Sequence, residues 1–345
     1  MSTPSVGVSP RRSPRVALSR LLRARETSIV FVLVVVIALT TIKSPTFIFS
    51  EDGWRDLLLS PSILMILAVG QAIVIISRNV DVSVGSILGF SAYLSGRILT
   101  DHPNIPIVVV FVVGTLAGTV MGLINGSLVA LLRIPALVIT LGTLYIYRGV
   151  TVLWAGGTRI FPADLPPDFT NLGIDGVLSI PLLTLIAIAV TVFAAWFMYS
   201  TRGGRSIYAI GSDPVAAKLY GLRVEPGVIF SMTLSGALAG FAGVLYLARY
   251  ATADSQAGVG WELQAIAAVV IGGVAILGGS GTVWGAAIGA VLLVTLNRAL
   301  PVLGIQDFWQ QFVIGALIIF AIVTDRIIYL RQTRKLLTIR GSDNE

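Results

Sequence analysis

The chain contains no cysteine. Disulfide frameworks, thiol nucleophiles and thiolate metal sites are therefore excluded. Histidine occurs once, as His102 between Asp101 and Pro103. A single loop imidazole reads as a solvated surface residue, and it leaves no second histidine for a metal cluster and no credible base for a hydrolytic triad. Lysine is almost missing. Lys43, Lys218 and Lys335 make up the set and none follows a glycine, whereas a phosphate-binding loop needs Gly-Lys before Ser or Thr. Charge of both signs is scarce: 12% of residues carry it, against roughly 25% in soluble domains.

Apolar residues fill the space instead. They are 55% of the 345 residues, and the mean hydropathy is +0.90. The runs are continuous and helix-length rather than alternating, which separates them from β-barrel strands. The sequence therefore predicts an all-α integral membrane protein of about ten transmembrane helices, some short or broken. The segments are Ser28–Thr41, Leu57–Ile76, Gly85–Leu99, Ile105–Leu132, Pro135–Ala155, Val177–Met198, Val228–Ala248, Leu263–Leu277, Val283–Leu303 and Gln310–Ile322. The third and eighth are short and glycine-rich, the pattern of half-helices or tilted pieces.

Charge placement predicts the orientation. Residues 1–27 form a basic tail with Arg11, Arg12, Arg15, Arg20, Arg23 and Arg25, and the first span reads as a signal-anchor without a cleavage site. With this tail in the cytoplasm, ten spans put Arg78, Arg133, the loop 199–227 and the tail 326–345 inside. Asp52, Asp56, Asp101, Asp164, Asp168, Asp175 and Asp254 then fall outside, the asymmetry of the positive-inside rule. The membrane core covers 28–325, with both termini expected in the cytoplasm. The net charge of +7 follows this topology, and no nucleic-acid partner is expected. The proline-bearing outer loop Gly156–Gly176 reads equally as an ordered cap or a passive linker.

Three polar or glycine-rich stretches interrupt the apolar pattern. Ser77–Ser86, SRNVDVSVGS, packs Arg78, Asn79, Asp81, Ser83, Gly85 and Ser86 between two apolar segments. Charge at membrane depth needs protein or a wet cavity around it. This break reads either as the lining of a pathway or as a turn held by an Arg78–Asp81 ion pair. Ala257–Ala290 is rich in glycine, which serves close helix packing or helix breaks. Thr201–Arg223, TRGGRSIYAIGSDPVAAKLYGLR, is a polar island between two spans. Within it, Asp213 is placed as an N-cap, Pro214 at the first helical position and Gly221 at the C-terminal stop of a short helix. Such a capped helix ringed by Arg202, Arg205, Lys218 and Arg223 suits contact with a soluble partner; the alternative is a structured loop that only links two spans.

Among apolar segments, Gln71, Asn125, Thr140, Gln264 and Asn297 either bind a polyhydroxyl solute or cross-link helices. Arg148 and Arg298 need a partner or a cavity. No chain of intramembrane carboxylates is present, which argues against a proton- or sodium-coupled transporter.

These residues resemble the membrane subunits of bacterial ABC importers for ribose, related sugars and autoinducer-2. The likeness covers about 60–324. SRNVDVSVGS at 77–86 is similar to the family's Asp-(Leu/Val)-Ser-Val-Gly-Ser signature, and GRSIYAIGSDPVAAKLYGL at 204–222 to its cytoplasmic loop. GVGWELQAIAAVVIGGVAILGGSGTVWGAAIGA at 258–290 is similar to a third motif. IPALVITLGTLYIYRGVTVLWAGG at 134–157 looks closest to the autoinducer-2 branch. Arg78-Asn79-Val80-Asp81 and Glu262-Leu263-Gln264-Ala265 depart from ribose-type members, which puts ribose itself in doubt.

The resemblance implies a non-catalytic permease subunit of the bacterial inner membrane. ATP and Mg would be bound only on separate ABC ATPase subunits. A second permease, identical or paralogous, and an extracytoplasmic binding protein would complete the assembly in the lipid bilayer. It implies that Arg205, Tyr208, Asp213, Ala216, Ala217 and Gly221 couple to the ATPase, and that Asn79, Asp81, Ser83, Glu262 and Gln264 line the pathway. The competing readings are a self-sufficient secondary transporter or channel and an integral-membrane enzyme; the latter lacks a catalytic cluster.

Overall fold

The computed structural model describes residues 25–306 except 178, with isolated positions between 309 and 323. Most of the basic N-terminal tail, most of the expected span 310–322 and the tail 326–345 lie outside the described residues. Helices dominate the chain. They are α1 (Arg25–Lys43), α2 (Thr46–Phe49), α3 (Glu51–Leu59), α4 (Ser62–Ile76), α5 (Val84–Asp101), α6 (Ile107–Leu132) and α7 (Ala136–Ala155). After them come α8 (Pro167–Asn171), α9 (Leu182–Ser200), α10 (Arg202–Ser212), α11 (Pro214–Leu219), α12 (Val224–Tyr250), α13 (Trp261–Ile271) and α14 (Val283–Val302). Between α8 and α9, β1 (Gly176–Val177) and β2 (Ile180–Pro181) pair antiparallel.

Among the described residues, 6 helical stretches are long and apolar enough to cross a membrane: Glu51–Ile76, α6, α7, α9, α12 and α14. Thr27–Lys43 and α13 are apolar but shorter. Of the expected short segments 85–99 and 263–277, the first is a full helix of 18 residues and only the second is the reduced piece that its glycines suggested. The first forms α5; the second keeps only 11 helical residues before Gly272 and Gly273 turn the chain. The expected span at Leu57 begins earlier, because Ser50 caps α3 by accepting from Gly53 N at 2.9 Å.

The core sits around α4, which is apolar on every face and buried along its whole length, as an all-apolar helix must be. α12, α14, α9 and α13 surround it. The most extensive pairing is α12 on α6, and glycine makes it possible. Gly114, Gly118, Gly122 and Gly126 recur every four residues, so they share one face of α6. A Cβ on Gly118 would meet Gly236 O and lie 2.7 Å from Gly240 Cα, and one on Gly122 would lie 2.9 Å from Gly236 Cα. Only backbone fits there, the small-xxx-small geometry of membrane helices. On α14, Gly285 and Gly289 meet Gly272 and Ala268 of α13 in the same way. Both readings of the glycine-rich stretch are realised, because Gly273, Gly278, Gly279 and Gly281 take positive φ in the turn that follows α13.

Contacts sort the connections onto two ends of the bundle. Gly279 N donates to Ile76 O at 2.9 Å, which puts the 272–281 turn beside the end of α4 and beside α10. At the other end, Arg298 of α14 reaches Asp56 Oδ2 at 3.8 Å and Gly53 O at 3.5 Å. The loop after α7 also lies at that end. It is an ordered cap, with Phe169 fully buried against Tyr93, Leu99 and Ala248, and Ile160 bridging antiparallel to Ala253.

Candidate functional site

The polar island folds as two helices rather than one. Thr201 caps α10 by accepting from Gly204 N at 3.0 Å. Gly204, Ile207, Ile210 and Gly211 turn inward, and the opposite face stays polar. Tyr208 donates to Gly281 O at 2.9 Å, and burial raises its phenol above the ordinary value, so it remains a protonated donor. A Cβ on Gly211 would strike Ile76 O. α10 is thus pressed against two membrane breaks at once, the end of α4 and the 278–281 turn.

α11 is capped at both ends as its residues predict. Asp213 Oδ1 accepts from Val215 N at 2.9 Å and Ala216 N at 3.0 Å, and Pro214 stands at the first helical position. At the other end Gly221 has φ +80°. Gly221 N donates to Lys218 O, and Leu222 N to Ala217 O, both at 3.0 Å, which is the paired bonding of a Schellman stop. Ala217 is buried and Ala216 half-buried, while Val215, Leu219 and Tyr220 are 72%, 84% and 88% exposed. Apolar side chains exposed on and just after so short a helix make a projecting knob. Arg205 is exposed and donates to Ser200 O at 3.0 Å, tying α10 to the end of α9.

The break at 77–86 closes inward. Asp81 and Ser83 are fully buried. Asp81 Oδ1 accepts from Ser83 N at 2.9 Å and Ser83 Oγ at 2.6 Å. Asn125 Nδ2 donates to Ser83 Oγ at 2.8 Å, and Tyr147 OH to Asn125 Oδ1 at 3.1 Å. Thr140 Oγ1 accepts from Val82 N at 3.2 Å. The Gln71 amide, turned to match its neighbours, donates to Asp81 O at 3.1 Å and accepts from Asp81 N at 3.2 Å. Gln71, Asn125 and Thr140 therefore cross-link helices, one of the two uses left open for them. The Arg78–Asp81 ion pair does not form: Arg78 is exposed at φ 67°, and Asp81 Oδ2 is buried without a hydrogen-bond partner. Asn79, half-buried, donates to Ser77 O at 2.9 Å.

Glu262 and Gln264 sit at the start of α13, both half-buried, and Glu262 packs against Gly85 at the far end of that break. Glu262 Oε1 accepts from Gly260 N at 3.2 Å, while its Oε2 is enclosed without a partner beside Gly85. Arg148 is satisfied by backbone, donating to Ala257 O and Ser255 O. Arg298 has the carboxylate of Asp56, which Arg249 shares at 3.3 Å, and lies 5.4 Å over the Phe47 ring. The structure thus joins Asp81 to Ser83, ties Asn79 to Ser77, brings Glu262 against Gly85 at the end of the same break, and leaves Gln264 one turn along α13. Sequence reasoning missed Tyr147, whose partner Asn125 lies 22 positions away and leaves no local signal. It also missed the glycine stripe of α6, whose spacing is plain in the sequence.

A helical bundle with several membrane-crossing stretches, buried polar breaks and a projecting capped loop helix defines a multi-pass membrane permease. The chain belongs to the family described as branched-chain amino acid transport system / permease component, which matches residues 55–322. It is 39% identical over 266 residues to the autoinducer 2 import system permease protein LsrC of Shigella flexneri, covering 77% of each chain. Proteins of the same name from Escherichia coli (strain HS, O9:H4) and Salmonella paratyphi B are 41% and 38% identical, covering 77% of this chain and 77% and 76% of theirs. No solved structure matches.

Proposed function

We propose that the chain is the transmembrane subunit of an ATP-driven ABC importer for autoinducer-2 or a closely similar sugar-like solute of the pentose or rhamnose type. It works as one of two permeases, identical or paralogous. Hydrolysis occurs on separate ATPase subunits that carry ATP and Mg, and a binding protein presents the solute at the outer loops. The bundle has ten spans with both termini in the cytoplasm and resides in the bacterial inner membrane. The observation that carries this reading is α11: a helix fixed at both ends, exposing Val215, Leu219 and Tyr220.

In this proposal the knob seats in a groove of the ATPase. Closure of the ATPase pair moves α11, and α10 passes the movement on through Tyr208 to Gly281 and through Gly211 to the end of α4. Arg205, Ala216 and Ala217 hold the two loop helices against the membrane end. Asn79, Glu262 and Gln264 reach the solute route, whereas Asp81 and Ser83 keep the shape of the break behind it.

The test is reconstitution in lipid with the ATPase and binding protein encoded beside this chain. ATP hydrolysis is followed with autoinducer-2, ribose, rhamnose, other pentoses and polyols. Stimulation by autoinducer-2 above the others, abolished when the knob is removed by V215S/L219S/Y220S, is the expected result. Solute uptake by this chain alone, with no ATPase bound, would instead establish a secondary transporter.

A further inference from the structure

At the island end of the bundle, a cavity of about 840 Å³ opens between the end of α6, the start of α7, the start of α12 and α11. Its volume lies within the roughly 300–1,000 Å³ of small-ligand sites. The polar edge holds Arg78, Asn79, Arg133, Lys218 and Glu225. Lys218 Nζ and Glu225 Oε1 stand 3.6 Å apart and Arg133 acts on the same carboxylate, so Arg78, Arg133 and Lys218 face one acid and the edge keeps a net charge of +2. Both arginines are exposed. Both also adopt left-handed backbone, at φ 67° and 56°, a conformation uncommon outside glycine.

The walls are of the opposite character. Val129, Leu137, Val215 and Val228 line the interior. Beyond the opening the apolar surface continues over Leu131, Leu132, Leu137 and Val138, which are 68%, 58%, 55% and 60% exposed. A ligand must therefore carry an anionic head and long apolar tails. A soluble anion would use the two arginines and leave the walls wet. A peptide would have to hydrogen-bond its backbone in a groove whose lining is largely aliphatic. Basic pockets between transmembrane helices on the cytoplasmic side are suited to anionic phospholipid heads.

We infer that this groove binds an anionic phospholipid of the inner leaflet, its phosphate between Arg78 and Arg133 and its acyl chains along α6 and α7. The lipid fills the space between the membrane helices and α11, so it braces the helix that projects from the bundle.

The full chain, purified in detergent and offered equal phosphatidylglycerol and phosphatidylcholine, is examined by native mass spectrometry. The net charge of +2 at this edge should favour phosphatidylglycerol by about thirtyfold. The variant R78N/R133N removes both charges, and asparagine tolerates left-handed backbone, so the loops keep their conformation. Its preference should fall to parity at an unchanged melting temperature. R78K/R133K retains the charges and should restore most of it. Equal retention of phosphatidylglycerol by wild type and R78N/R133N overturns the inference. Release of the bound lipid by excess inorganic phosphate also overturns it, by assigning the arginines to a free anion.

Discussion

Asp213 fixes α11 with a single oxygen that satisfies two helix-end donors. Its removal as Asp213→Ala should cost the cap about 1 kcal/mol. α11 is short and exposed, so the melting temperature of the whole chain should barely move. Ligand-stimulated ATP hydrolysis in the reconstituted importer should fall severalfold, and Asp213→Asn, an equally good cap, should restore it. Wild-type coupling in the Ala variant would remove α11 from the mechanism. Both caps were legible in the sequence because capping is local chemistry, settled within the nine residues Asp213–Gly221. The partners of Asp81 were not. The pair Arg78–Asp81 is suggested by proximity in sequence, yet left-handed backbone at Arg78 carries that side chain outward, and Asp81 is met by Ser83 and Gln71 instead.

The helices of this bundle are chosen by apolar length but positioned by missing side chains. Gly118 and Gly149 both lie inside helices, and their surroundings make opposite predictions. At Gly118 a Cβ would run into the backbone of Gly236 and Gly240. Gly118→Ala should therefore destabilise by about 1–3 kcal/mol, read as a lower melting temperature and reduced folded yield in detergent. Gly149 has nothing within 4 Å of the position its Cβ would take. Gly149→Ala should be neutral or stabilise by up to about 1 kcal/mol through helix propensity. Equal effects at the two sites would refute the claim that α6 and α12 are held by backbone contact. Tyr208→Phe probes the link between loop and membrane. It removes one buried hydrogen bond, about 1 kcal/mol, and should loosen coupling while leaving solute binding by the delivery protein intact. Six spans, those in Glu51–Ile76, α6, α7, α9, α12 and α14, were readable from hydropathy alone. The packing face of α6 was also available, in glycines four apart, but a periodic stripe does not name its partner, and the pairing with α12 had to come from the structure.

At the scale of the whole molecule, the side on which each connection lies is fixed relative to its neighbours by contact. The 272–281 turn hydrogen-bonds the end of α4, and the loop after α6 shares a cavity with α11, so these connections occupy one end. Asp56 with Arg249 and Arg298, and the 156–181 cap, occupy the other. Basic residues gather at the first end and acidic ones at the second, and by the positive-inside rule we propose that the first end is the cytoplasmic one. The chain supplies its own background for testing this, because it has no cysteine to remove. Tyr220→Cys and Asp168→Cys are exposed positions separated by one crossing, α9. In intact cells an impermeant maleimide should label Asp168→Cys at once and Tyr220→Cys only after lysis. Ser342→Cys then reports on the remaining segment. α14 carries the chain to the second end, so in the proposed orientation the tail returns inside only if 310–322 crosses. Labelling of Ser342→Cys only after lysis would establish an even number of spans and a cytoplasmic C-terminus; labelling in intact cells would leave the bundle one crossing short of ten.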